Sequence, residues 1–286
     1  MAEKKVKLIS DLPIIPEVAM KVMDIATDNL DISFKELENI IKVDPGLTSK
    51  ILKVANSALY SRQKEITNLQ TAITLLGFKN IKSLVLLLTA SSIFQKARQT
   101  NFYKTFWRHS IITAFIAKIL AKNNGKNDIA ENVFICALLH KIGKVLLFTS
   151  DQAAYTKIME DETTKDTWIE SLEEEVFETN YRKLGGELFK SWNFPNMFID
   201  VAEEHNSQNI TSPHKNIIII VTIASLLTDK FGFGSFTTPK KELLDKMLPH
   251  LSLKPEDVEY YEKNYSDLLA KDKLFEECQN LVGLNT

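Results

Sequence analysis

Only 9 glycines and 8 prolines punctuate this chain of 286 residues. A β protein of this length turns many times and draws heavily on both residue types, so their scarcity favours long helices. The apolar spacing agrees. Ile15, Val18, Val22 and Ile25 recur on one helical face after Pro13. Ser33 with Glu36 forms a capping box ahead of Leu37, Ile40 and Ile41. Asp44-Pro45 reads as an N-cap followed by a first-turn proline, Asn68 as the next cap and Gly77 as a helix end. Residues 81–94 continue helically. Beyond a polar stretch at 96–105, Ile111, Phe115 and Ile119 share a face, Asp128 and Asp151 offer further caps, and 168–177 is amphipathic with an acidic outer face. Gly185-Gly186 interrupts or tightly packs the following helix, which stops before Pro195. Thr238-Pro239 opens another, and 254–282 supplies one or two more. The expected fold class is all-α.

The apolar run 216–227 contains Ile217 to Ile220, which is β-prone by propensity. It shows no alternation and is too long for an ordinary strand, so it is expected to be a fully buried helix. It is shorter than the ~20 residues that span a bilayer. The first ten residues lack the apolar core of a signal peptide. Apolar residues make up 44% and charged residues 25%, the balance of an ordinary globular core. Two isolated cysteines, Cys136 and Cys278, form no CxxC or Cys/His cluster and fit a reducing cytoplasm. The net charge of −2 gives no overall attraction to nucleic acid or an anionic membrane; residues 1–98 hold 14 Lys/Arg against 10 Asp/Glu, a net +4 that a solvated surface explains. The polar stretch suggests a division into an N-terminal helical part, 1–98, and a second part, 99–286.

Two sets of short motifs stand out. The first is Leu12-Pro13, Asp44-Pro45-Gly46-Leu47, Asn56-Ser57 and Ala72-Ile73 with Leu76-Gly77. Each alone is helix punctuation, and none carries a nucleophile beside a base or a phosphate-binding loop. The second is Trp107-Arg108-His109-Ser110 at a helix start, Leu138-Leu139-His140-Lys141-Ile142-Gly143-Lys144, Gly185-Gly186, Trp192-Asn193-Phe194-Pro195 and Glu204-His205-Asn206. Taken in order and spacing, the first set resembles the front half of the HDOD domain family, and the segment from Leu138 resembles the LLHDIGK segment of the wider HD superfamily. The likeness runs over about residues 10–230, and the region after Gly234 is less characteristic.

That resemblance implies an N-terminal helical bundle packed against an HD-like helical bundle. It also implies a degenerate pocket. Adjacent His and Asp of active HD domains bind metal, and here the Asp position is Lys141. The His of the family's His-x-x-Leu-Gly falls on Tyr181, the paired histidines on His205-Asn206, and the last metal-binding Asp on Ala224-Ser225. His109, His140 and His205 thus remain, with Lys141, Lys144, Tyr181, Asn206 and Ser225 completing a vestigial pocket, and no metal, cofactor or catalytic residue is expected. At ~4 Å and an effective dielectric of ~20, a unit charge pair is worth roughly 4 kcal/mol, so a divalent ion beside the Lys141 ammonium meets about 8 kcal/mol of repulsion. The implied function is a non-catalytic, cytoplasmic bacterial signalling or regulatory protein acting through protein partners, in motility, stress or second-messenger regulation. Lys141 and Lys144 leave room for a small anionic ligand. Two alternatives stay open at this point: a residual metal-dependent phosphohydrolase, and a nucleic-acid-associated regulator.

Overall fold

The computed structural model describes residues 12–25, 34–57, 59–60 and 65–285. The first ten residues, Ser33 and the side chain of Ile25 lie outside that description. All regular structure among the described residues is helical. The chain divides into two compact units, one comprising Ile14–Gln95 with Ala270–Thr286, the other Met1–Pro13 with Lys96–Leu269.

The first unit contains α1 (Glu17–Ile25), α2 (Phe34–Ile41), α3 (Pro45–Ala55), α4 (Leu69–Leu76), α5 (Phe78–Ile93) and, from the far end of the chain, α16 (Lys273–Leu281). Its helix ends follow local chemistry. Asp44 accepts a hydrogen bond from the Leu47 amide at 2.9 Å and Asn68 from the Thr71 amide at 2.8 Å, each satisfying an orphan donor of the first turn. Asn56 clamps the chain after α3: its amide donates to the Leu52 and Ile66 carbonyls, and its oxygen accepts from the Ile66 N–H at 2.7 Å. Gly77, at φ 81, lets α4 and α5 meet at 109°. Leu84 to Leu88 are buried on every side of α5, so this helix is the centre of the unit's core.

The second unit is built around α6 (Asn101–Asn123) and α13 (Lys215–Thr228), which pack on each other and on α7 (Ala130–Leu139). The run of isoleucines in α13 is helical, and every residue from Ile217 to Thr228 is buried. Burial on all faces overrides the β-propensity of that run. Around this centre lie α8 (Gly143–Ser150), α9 (Gln152–Thr164), α10 (Ile169–Phe177), α11 (Tyr181–Ser191), α12 (Asn196–Glu204), α14 (Thr238–Met247) and α15 (Pro255–Ala270). Asp151 caps α9 through the Ala154 amide.

Three local expectations are corrected. Trp107 to Ser110 do not open a helix: α6 starts at Asn101, with Thr100 accepting from the Tyr103 amide, because Phe102 and Tyr103 inside the nominally polar stretch join Phe106 and Trp107 just beyond it in a buried stripe. Asp128 does not cap α7, which begins at Ala130 without a side-chain cap. The outer face of α10 is not uniformly solvated, since Glu173 is fully buried.

Two stretches, Ala130–Ser150 and Lys215–Phe233, are long and apolar enough to cross a membrane by length and composition, but 83% and 72% of their apolar windows are buried inside the fold.

Candidate functional site

Five helix ends and helix faces of the second unit bring the candidate residues together. His109 lies in the third turn of α6, His140 and Lys141 lie in the turn between α7 and α8, Tyr181 opens α11, His205 and Asn206 follow α12, and Ser225 faces inward from α13. Close backbone packing sets this arrangement. A Cβ on Gly143 would lie 2.0 Å from the Tyr181 carbonyl oxygen, so only glycine lets α8 approach α11 here. The His109 and His140 ring centroids are 5.8 Å apart, those of His140 and His205 4.9 Å, and all three rings are buried.

Each ring is committed to protein partners. His140 Nδ1–H donates to the Ala137 carbonyl at 2.6 Å, which leaves Nε2 to accept from the Ser225 hydroxyl at 3.1 Å. His205 repeats the pattern: Nδ1–H donates to the Val201 carbonyl at 2.7 Å and Nε2 accepts from the Tyr181 hydroxyl at 2.8 Å. The Asn206 amide donates to the same hydroxyl at 3.3 Å, and Asn206 itself sits at φ 66, a left-handed conformation that asparagine tolerates. Burial, then neighbouring positive charge, holds all three histidines below their ordinary range, His109 at about 4. They are neutral hydrogen-bonding groups.

His109 belongs to a second cluster that the sequence reading did not foresee. Its Nε2 lies 2.9 Å from Asp229 Oδ1 and 3.1 Å from Lys141 Nζ. Asp229 stands one turn beyond Ser225, at the start of a π-type turn, Asp229–Phe233, that ends α13. Its other oxygen is 3.2 Å from Lys240 Nζ and 3.7 Å from Lys141 Nζ. Lys240 also pairs with Glu162 at 2.6 Å and donates to the Ser235 carbonyl at 2.6 Å. Gly234 closes over the group; a Cβ there would sit 1.9 Å from Asp229 Oδ1. Two ammonium groups and two carboxylates, all buried, thus balance one another. Burial alone would raise Asp229, but Lys141, Lys240 and His109 hold it well below the usual carboxylate range. Burial lowers Lys141 to about 7, with Asp229 opposing, whereas Asp229 and Glu162 outweigh burial and raise Lys240.

A pocket carboxylate is therefore present, at Asp229 rather than in the Ala224-Ser225 pair to which the family pattern pointed. Its register is four residues later on the same helical face. Nothing in the motif spacing marked Lys240 or Glu162; the one available signal was an Asp directly after a buried apolar run. These residues do not fit a divalent metal. The ring nitrogens and Asp229 are engaged within the protein, Lys141 supplies a cation where a carboxylate ligand would be needed, and no three His, Cys, Asp or Glu side chains among the described residues are arranged to hold an ion.

A cleft of ≈ 440 Å³ opens onto this cluster. Arg108, Lys141, Lys144 and Lys240 line it against Glu162 and Asp229, together with Phe102, Phe106, Met159, Ile169 and Phe233. Lys144 is half-buried, its Nζ 4.9 Å from the Tyr181 ring centroid.

The HDOD domain profile matches residues 12–208. A protein of Treponema pallidum (strain Nichols), itself uncharacterized, is 23% identical over 249 residues, which cover 87% of this chain and 47% of the relative; the chain thus spans about half the length of that curated relative. The crystal structure of an HDOD domain protein of unknown function from Geobacter sulfurreducens superposes with a TM-score of 0.74 at 19% identity, covering 98% of this chain and 99% of the other. A candidate phosphohydrolase from Shewanella amazonensis SB2B gives 0.72 at 20% identity, with 98% of each chain covered. A candidate signal-transduction protein from Marinobacter aquaeolei VT8 gives 0.76 at 17% identity, covering 99% of this chain and 65% of that one. At these identities the likeness to the solved structures is one of fold.

Proposed function

Because the chain belongs to the HDOD domain family, we propose that it is a non-catalytic signalling or regulatory protein of the bacterial cytoplasm, acting through protein partners in motility, stress or second-messenger regulation. The observation that carries the reading is the buried Lys141 ammonium, 3.7 Å from Asp229. Metal-dependent HD chemistry needs a free carboxylate facing an open coordination position. Here the carboxylate is closed off by His109 and two lysines, and a divalent ion about 4 Å from the Lys141 ammonium would meet roughly 8 kcal/mol of repulsion at an effective dielectric of ~20. Two buried free cysteines support a reducing compartment.

The deciding experiment is elemental analysis of protein purified without chelator, paired with hydrolysis of bis-p-nitrophenyl phosphate in added Mn²⁺. Substoichiometric metal and hydrolysis at the no-protein rate are expected. One or two equivalents of metal, lost on His140→Ala together with His205→Ala, would overturn the reading in favour of a residual phosphohydrolase.

A further inference from the structure

We propose that the cleft above the Lys141–Asp229 cluster binds a small organic anion, namely a phosphate or carboxylate group carried on an aromatic body. The proposal rests on the non-catalytic reading above and names the ligand class of that same pocket. Its first support is charge. Four cationic side chains line the cleft against two carboxylates, and His109 is neutral. Both carboxylates are already matched, Glu162 by Lys240 and Asp229 by Lys240 and Lys141. Arg108 and Lys144 form no ion pair among the described residues; the carboxyl that feels Lys144, Glu173, is pushed up to about 8 by burial and holds its proton at neutral pH, so two positive charges face the cleft without an ionised carboxylate paired to them. A phosphate monoester dianion restores the balance and a single carboxylate half of it, and a guanidinium and an ammonium lining one cleft suit either head.

The second support is the remaining wall. Phe102 and Phe106 lie two turns and one turn before His109 on α6, with ring centroids 6.0 Å apart, and Phe233, Ile169 and Met159 line the same cleft. Phe102, Phe106 and Ile169 are already packed in the core and give the cleft an apolar floor, whereas Met159 and Phe233 are half-buried, and a bare inorganic ion would leave their apolar surface in water. An aromatic body covers Met159 and Phe233 through burial and ring contact. The cleft volume, ≈ 440 Å³, falls within the ~300–1,000 Å³ typical of small-molecule sites.

The test is isothermal titration of the full chain with phenyl phosphate in EDTA, with inorganic phosphate and phenol as partial probes. Saturable binding with one site per chain is expected, and each partial probe is expected to bind at least about tenfold more weakly. Lys144→Met and Arg108→Met should each weaken phenyl phosphate binding by about tenfold or more, the scale of one charge-assisted hydrogen bond. Arg108 is exposed and Lys144 half-buried, so both variants should keep the fold, which circular dichroism verifies. No saturable binding, or binding indifferent to both substitutions, would overturn this inference and leave the non-catalytic reading standing. Binding that appears only when Mn²⁺ replaces EDTA would overturn both.

Discussion

Lys141 and Asp229 offer a direct measure of how far the pocket depends on its own charges. The pair is buried and separated by 3.7 Å, a distance worth about 4 kcal/mol at an effective dielectric of ~20. Lys141→Met removes the cation and leaves Asp229 with Lys240 at 3.2 Å and His109 at 2.9 Å. Breaking a buried pair typically costs roughly 3–5 kcal/mol, and the remaining partners should keep this loss near the lower end. A double-mutant cycle with Asp229→Asn isolates the mutual term. Burial brings the Lys141 ammonium to about 7, so it is charged near pH 6 and neutral near pH 9. The coupling should therefore be about 2–4 kcal/mol near pH 6 and fall to hydrogen-bond scale, about 1 kcal/mol, near pH 9. The folded ammonium titrates below its unfolded value of about 10.4, so the unfolded chain holds more protons between about pH 7 and pH 10. Wild-type stability should rise across that window, and Lys141→Met should lose the rise. Urea unfolding followed by tryptophan fluorescence suits the measurement, because Trp107, Trp168 and Trp192, the only tryptophans, all lie in the unit that holds the pocket. A coupling below about 0.5 kcal/mol near pH 6, or one equal at both pH values, would refute the reasoning.

Glu173 should show the opposite slope. It is fully buried, accepts from the Tyr155 hydroxyl at 2.6 Å and the Tyr181 amide at 2.8 Å, and burial pushes it up to about 8 against an ordinary 4.5. The folded chain keeps a proton that the unfolded chain loses, so stability should fall between those two pH values by at most about 5 kcal/mol. Glu173→Gln, whose oxygen can accept from the Tyr181 amide while its NH₂ donates to the Tyr155 hydroxyl, should flatten that fall and unfold at higher urea than wild type near pH 8; equal slopes in the two proteins would remove the argument. Gly143→Ala drives a Cβ to 2.0 Å from the Tyr181 carbonyl and 2.9 Å from the Gly185 nitrogen, both backbone atoms. It should cost about 1–3 kcal/mol or more, read as a lower urea midpoint, and an unchanged midpoint would contradict the close approach of α8 to α11.

These experiments probe what the sequence made legible and what it did not. The caps at Asp44, Asn68 and Asp151 were readable because capping is decided within four residues. The same signal failed at Asp128, where α7 starts two residues later without a side-chain cap, and in the stretch before Trp107, where polar residues masked a buried aromatic stripe. In the pocket, His109, His140 and His205 were legible through ordered motifs. Asp229, Lys240 and Glu162 were not, nor was Glu173 outside the cleft, because a charged residue reads as solvated by default and only its tertiary partners reverse that. Lys240 comes from α14 and Glu162 from α9, and no sequence spacing connects either with Asp229 at the end of α13. Yet these unread residues make sense of the one that was read. A lone Lys141 in place of an acidic ligand would be a buried charge without compensation, and a lone Asp229 likewise. On the proposed reading, Lys141 and Lys240 together supply two positive charges, the same charge as a divalent ion, but on side chains that the fold carries with it. The substitution at position 141 is then half of a replacement whose other half, Lys240, lies in the part of the chain where the family pattern is least distinct.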